Sequence, residues 1–117
     1  MPIVDISGLS AKEAEAKGRI RKRIQQFYHK RLGMPLTATT VTFITDETAG
    51  DGKDVHLMAR LYSKMFMTME EQKDLDQICD TIVIIMEEEA GHVFNEAFPV
   101  PVMAMRGGHK PYKGKDQ

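Results

Sequence analysis

A chain of 117 residues, 42% hydrophobic and 28% charged with a net charge of −1, is sized for one compact domain. Its near-neutral balance supplies no basic footprint for general nucleic-acid binding, and no apolar run approaches the ~20 residues of a membrane span. No basic segment followed by an apolar stretch marks a secretory leader, so a cytoplasmic protein is expected.

Residues 2–8, "PIVDISG", read as a short strand with Val4 and Ile6 on one face and Ile3 and Asp5 on the other. Ser10 and Glu13 form the S-x-x-E capping pattern. They predict a helix from about Ala11 to Arg31, with Ile20, Ile24 and Phe27 turned to the core. Gly33 and Pro35 stop it. A β-branched run at 39–45, "TTVTFIT", predicts a second strand, and the polar segment 46–54 a loop. Residues 55–62, "VHLMARLY", alternate again and predict a third strand, with Val55, Leu57, Ala59 and Leu61 on the apolar face. Thr68 caps a second helix with Glu70 and Glu71 in its first turn. Its core face is Leu75, Ile78, Cys79, Ile82, Ile85 and Met86, and Gly91 ends it. A last strand lies within "HVFNEAFPVPVMAM", where Pro99 and Pro101 imply a sheet edge or a bend. A polar tail, "RGGHKPYKGKDQ", follows.

The order is β-α-β-β-α-β: an α+β domain with a four-stranded sheet and two helices on one face, the strands within each β-α-β unit parallel. A ferredoxin-like domain has the same element order and is the alternative. The first helix is basic and the second acidic, which suits two solvated faces lying side by side.

Chemistry-bearing patterns are few. Cys79 is the lone cysteine; no internal disulfide exists, and its apolar-periodic setting makes it a core residue. Glu89 and His92 have the i, i+3 spacing of di-metal bundles, but no second such pair is present, so no metal and no cofactor is expected. Pro2 is different. Initiator methionine is normally removed before a small residue, and that leaves Pro2 a free secondary amine. An ordinary α-amino group titrates at roughly 7.7–8.0; apolar surroundings or neighbouring cations lower it further. A neutral amine near pH 7 is a general base and its conjugate acid a general acid.

Three stretches, "MPIVDISGLS", "GMPLTATTVTFIT" and "VHLMARLYSKMFMTMEEQKDLDQICDTIVIIM", resemble the tautomerase superfamily, the group of 4-oxalocrotonate tautomerase, macrophage migration inhibitory factor and malonate semialdehyde decarboxylase. The resemblance implies a single domain over residues 1–106, built from units at about 1–46 and 55–106, with 107–117 as a tail. It also implies a homotrimer and an enzyme in which Pro2 is the catalytic acid/base acting on a small keto acid or related carboxylate. Related members use the same proline for decarboxylation or hydration.

The chain departs from the family's anion clamps. Leu9 and Thr40 stand where 4-oxalocrotonate tautomerases carry arginines, and Met34 where the migration inhibitory factor has a lysine. In the family fold the third strand runs antiparallel to the first, so its end approaches the proline. That makes Arg60, Tyr62 and Lys64 candidate substrate-binding residues. Arg106 and His109, after the last strand, are further candidates if the tail closes over a site. The missing clamps also leave open a non-catalytic binding module on the same fold.

Overall fold

The structure, a computed structural model, describes residues 2–45 and 52–102. Its elements are β1 (Ile3–Ser7), α1 (Ala14–Leu32), β2 (Thr40–Ile44), β3 (Leu57–Lys64), α2 (Met69–Ala90) and β4 (Asn95–Val102). The sheet order is β2-β1-β3-β4. β1 runs parallel to β2, β3 runs parallel to β4, and β1 and β3 meet antiparallel at the centre. The ferredoxin-like alternative is overturned by this order. A split β-α-β unit separates its two parallel strands, whereas here both parallel pairs are direct neighbours.

Alternation decides which sheet face the helices cover. Val4 and Ile6 of β1, Val41 of β2 and Leu57, Ala59 and Leu61 of β3 are all buried. They join Ile20 and Ile24 of α1 and Ile82 and Met86 of α2 in one apolar cluster. Burying each such side chain contributes about 1.5–3 kcal/mol. Among the described residues no helix covers the opposite sheet face, and Ile3 on it is 41% exposed.

Both helices end as the sequence dictates. Gly33 (φ 69°) and Gly91 (φ 68°) take the left-handed conformation, and their N–H groups donate to the carbonyls of His29 (2.9 Å) and Glu87 (3.0 Å). Gly8 also has positive φ, 108°, and a Cβ there would lie 2.3 Å from the His56 carbonyl oxygen. Glycine therefore lets the chain leave β1 while pressed against the entry to β3. The opposite charges of the helices meet: Arg19 bonds Glu89 at 3.2 Å, Arg23 lies 3.6 Å from Glu88, and Arg31 pairs with Asp74.

Three expectations need correction. Residues Ala11–Glu13 form a 3-10 turn, and the α-helix proper begins at Ala14. The buried stripe of α1 is Ala16, Ile20, Ile24 and Tyr28, a pure i, i+4 row; Phe27 packs only at its margin. The third strand starts at Leu57 rather than at 55. Val55 is used in a turn, where its N–H donates to Gly52 (3.2 Å) and its carbonyl accepts from His92. Pro99 and Pro101 lie in β4, an edge strand, where a missing N–H leaves no gap in a central ladder.

Candidate functional site

The half-buried Pro2 immediately precedes β1, an inner strand of the sheet. Its carbonyl oxygen accepts the Thr40 N–H at 2.9 Å, which continues the β1–β2 ladder by one residue. The register Ile3↔Thr40 and Val4↔Leu61, carried on, sets Pro2 between Thr39 on one side and Ser63 on the other. Alternation puts all three on the helix-covered side, in line with Val4, Val41 and Leu61.

At this end of the sheet lies an open depression of about 410 Å³ between the end of β3, the end of α1 and the start of α2. Leu32, Met67, Leu75 and Ile78 give it apolar walls, and Ser63 and Lys64 stand at the strand end. The charges on its rim are internally matched. Lys64 is ion-paired with Glu71. That bond from Lys64, then the N–H of Thr68, hold the Glu71 carboxyl below its ordinary range. Arg31 is paired with Asp74 and donates to Gln77 at 2.9 Å. Two other hollows, of about 230 Å³ each, lie along α2 alone and between α1 and α2, away from Pro2.

Of the residues named from the sequence, Pro2, Tyr62 and Lys64 come to the same end of the sheet, and Tyr62 and Lys64 both line the depression. Arg60 and Tyr62 occupy the helix-free face. Arg60 donates to the Ser7 hydroxyl at 3.3 Å and lies 5.8 Å over the Phe98 ring. The Tyr62 hydroxyl donates to Asp5 at 2.8 Å, and that bond raises its pKa. Arg106 and His109 lie outside the described residues. Leu9 is 2% exposed within the core, so no cation can replace it without being buried. Glu89 and His92 do not act together. Glu89 serves Arg19 and Arg23, while the buried His92 ring meets Glu13 and the Val55 carbonyl, each at 2.7 Å. Among the described residues no group of three or more His, Cys, Asp or Glu side chains is arranged to hold a metal ion.

Sequence reasoning passed over Thr39 and Ser63. The signal was available, since both are polar residues at positions whose alternation makes them core-facing: Thr39 two before Val41, Ser63 two after Leu61.

Solved structures place this architecture. A macrophage migration inhibitory factor-like protein from Entamoeba histolytica superposes with a TM-score of 0.64 over 93% of this chain and 95% of its own, at 14% identity. The fold is that of the tautomerase superfamily. A fused 4-OT symmetric trimer superposes at TM-score 0.60 over 86% of this chain and 85% of its own, at 10% identity. A malonate semialdehyde decarboxylase inhibited by 3-bromopropiolate superposes at 0.55 over 85% and 83%, also at 10% identity. No protein-family model and no curated protein matches the sequence.

Proposed function

We propose that this chain is a tautomerase-type enzyme whose Pro2 amine, freed by removal of Met1, moves a proton on a small enolisable carbonyl compound. The observation that carries the reading is the placement of Pro2. It is tied by its carbonyl to β2 at the end of an inner strand, and Ser63, its register neighbour in β3, lines a depression with apolar walls. A ring nitrogen fixed there has one orientation, as a general base requires. A decarboxylase or hydratase using the same proline is the related possibility, in keeping with a malonate semialdehyde decarboxylase among the similar folds.

The protein acts as a homotrimer in this reading. The helix-free sheet face presents Ile3, Met58, Phe98 and Val100 by alternation, and a neighbouring copy would cover them. The trimeric assembly of a fused 4-OT with this fold supports it. A non-catalytic module is the second reading. It is favoured by the rim cations already being paired, Lys64 with Glu71 and Arg31 with Asp74.

Electrophile labelling separates the two readings. A protein of this fold is inactivated by 2-oxo-3-pentynoate. Protein shown by intact mass to begin at Pro2 should take up one equivalent of that acetylenic keto acid per chain, mapped to Pro2, faster than a proline-initiated peptide does. Labelling no faster than the peptide removes the enzyme reading.

A further inference from the structure

The outer faces of the two helices carry charges that the chain itself does not pair. On α1, Lys22 and Lys30 are exposed, and among the described residues neither has a hydrogen bond or ion pair. On α2, Asp76, Asp80, Ile84 and Glu87 recur at i, i+4, i+8 and i+11 and form one exposed stripe. Its carboxylates likewise have no hydrogen-bond or ion-pair partner among the described residues. Ile84 stands in the middle of them, 52% exposed. Beside it a hollow of about 230 Å³ runs between the helices, with Phe27 and Ile85 as apolar walls and Arg23 and Lys30 at its edge.

Ion pairs within the chain set the heights along the two helices. Arg31 meets Asp74, Arg23 lies 3.6 Å from Glu88 and Arg19 3.2 Å from Glu89, so α1 and α2 run antiparallel. On that scale Lys22 stands level with Glu87, and Lys30 level with the turn between Asp76 and Asp80. A two-fold axis along the helices, passing over the hollow, turns a second copy face to face with the first and keeps every height. It lays each α1 on the other copy's α2. Lys22 then faces the second copy's Glu87, Lys30 its Asp80, and Ile84 the α1 wall of its hollow, between Arg23 and Phe27. A two-fold axis across the helices would instead stack α1 on α1 and α2 on α2, setting like charge on like, which is costly. The charges of minority sign, Glu15 on α1 and Lys73 on α2, lie near the helix starts, outside the overlap.

We propose that the helix layer is a docking surface for a second copy of this chain, joined about the axis along the helices by Lys22–Glu87 and Lys30–Asp80 pairs around Ile84. A two-fold contact must be self-complementary, and a face that carries both signs at matched heights meets that requirement. The surface is separate from the helix-free sheet face, and the inference does not rest on the chemistry of Pro2. It pairs whatever unit the sheet face builds: two trimers where that face holds three copies together, two single chains where it does not.

Sedimentation velocity on the full chain, over a wide range of protein concentration, tests this. The proteins are wild type, Ile84→Lys, the double reversal Lys22→Glu with Lys30→Glu, and the exchange that adds Asp80→Lys and Glu87→Lys to that reversal. All of the substitutions fall at exposed helix positions, so each variant should keep the wild-type circular dichroism spectrum. Wild type is expected to reach twice the mass of Ile84→Lys. The double reversal is expected to weaken the doubling by about tenfold or more, and the exchange to restore it, because opposite charges then face each other again. Raising the salt from about 0.1 M to about 1 M shortens the Debye length from about 10 Å to about 3 Å and should weaken the wild-type doubling. The mass of Ile84→Lys reads the sheet face separately: three chains where the trimer reading holds, one where it fails. Equal masses for wild type and Ile84→Lys would overturn the proposal and leave the helix face to a different partner. A doubling that ignores the charge reversal, or that the exchange does not restore, would overturn it as well.

Discussion

Replacing His92 should cost this small domain more than any other single polar substitution among the described residues. The ring is fully buried, and Glu13, its partner, keeps only 10% of its side chain exposed. Nδ1 lies 2.7 Å from the Val55 carbonyl and Nε2 2.7 Å from Glu13 Oε2. Carbonyl and carboxylate both accept hydrogen bonds, and each faces one nitrogen of the ring. Through this ring the segment after α2 is tied both to the turn before α1 and to the turn before β3. His92→Ala removes a charge-assisted bond worth about 1.5–3 kcal/mol and strands the Val55 carbonyl at a further cost of about 1 kcal/mol or more. The sum is about 2.5–4 kcal/mol, and at about 4–8 °C per kcal/mol for a domain of this size it lowers the thermal midpoint by about 10–32 °C.

Glu13 gives the pH test. Burial pushes its carboxyl up, but the bonds from His92, the Ser10 backbone and Lys53, with the His92 charge, outweigh burial and leave it below its ordinary 4.5. A carboxyl lowered on folding stabilises above its unfolded pKa and loses that contribution as pH falls through its folded value. Glu13→Gln preserves the capping box, so the wild-type advantage over it should be full at pH 7 and shrink steadily below about pH 4.5. Urea denaturation at equal protein concentration, from pH 3 to 7, measures both effects. A His92→Ala loss under about 1 kcal/mol, or a wild-type advantage over Glu13→Gln that stays constant into acid, would refute this account of the Glu13–His92 pair.

Gly8→Ala should destabilise by about 3 kcal/mol or more, because a Cβ would meet the His56 carbonyl at 2.3 Å and φ is 108°; chemical denaturation reads it directly. Ile82→Ala deletes a fully buried side chain of α2 and should cost about 2–5 kcal/mol while leaving the sheet end at Pro2 intact. Cys79 should resist thiol reagents at pH 8 until the protein unfolds. Burial first, and Asp76 and Asp80 next to it, push its thiol up to about 11, so the reactive thiolate is scarce; a fast native-state reaction would contradict this.

Periodicity made most of the architecture legible. Val4, Ile6, Leu57, Ala59 and Leu61 were placed on the core face by alternation, and Ile78, Ile82 and Met86 by helical spacing; all are buried. The caps at Ser10, Thr68, Gly33 and Gly91 carried their own signatures. Pairing between strands was not legible from periodicity, because neither period says which strand lies beside which. The antiparallel approach of β3 to β1 came from the family resemblance. The Glu13–His92 contact was hidden for a similar reason. Its members are 79 residues apart, and each had a local explanation, Glu13 as a capping residue and His92 as half of an i, i+3 pair. Arg60 was nominated because the end of the third strand approaches Pro2 in the family fold; it shares strand parity with Lys64. That parity places it on the helix-free face, while Pro2 follows the parity of Val4. Thr39 and Ser63 were legible in principle as polar residues at core parity, but a β-branched run hides a core-facing threonine well.

The most direct measurement is kcat/KM for phenylpyruvate ketonisation with protein verified by mass to begin at Pro2, set beside Pro2→Ala with its own first residue confirmed. General acid–base catalysis by a positioned group contributes about 10²–10⁴-fold, and the account predicts a loss of that size in the variant with the fold and thermal midpoint preserved. Equal activity in the two proteins would contradict the assignment of the chemistry to Pro2.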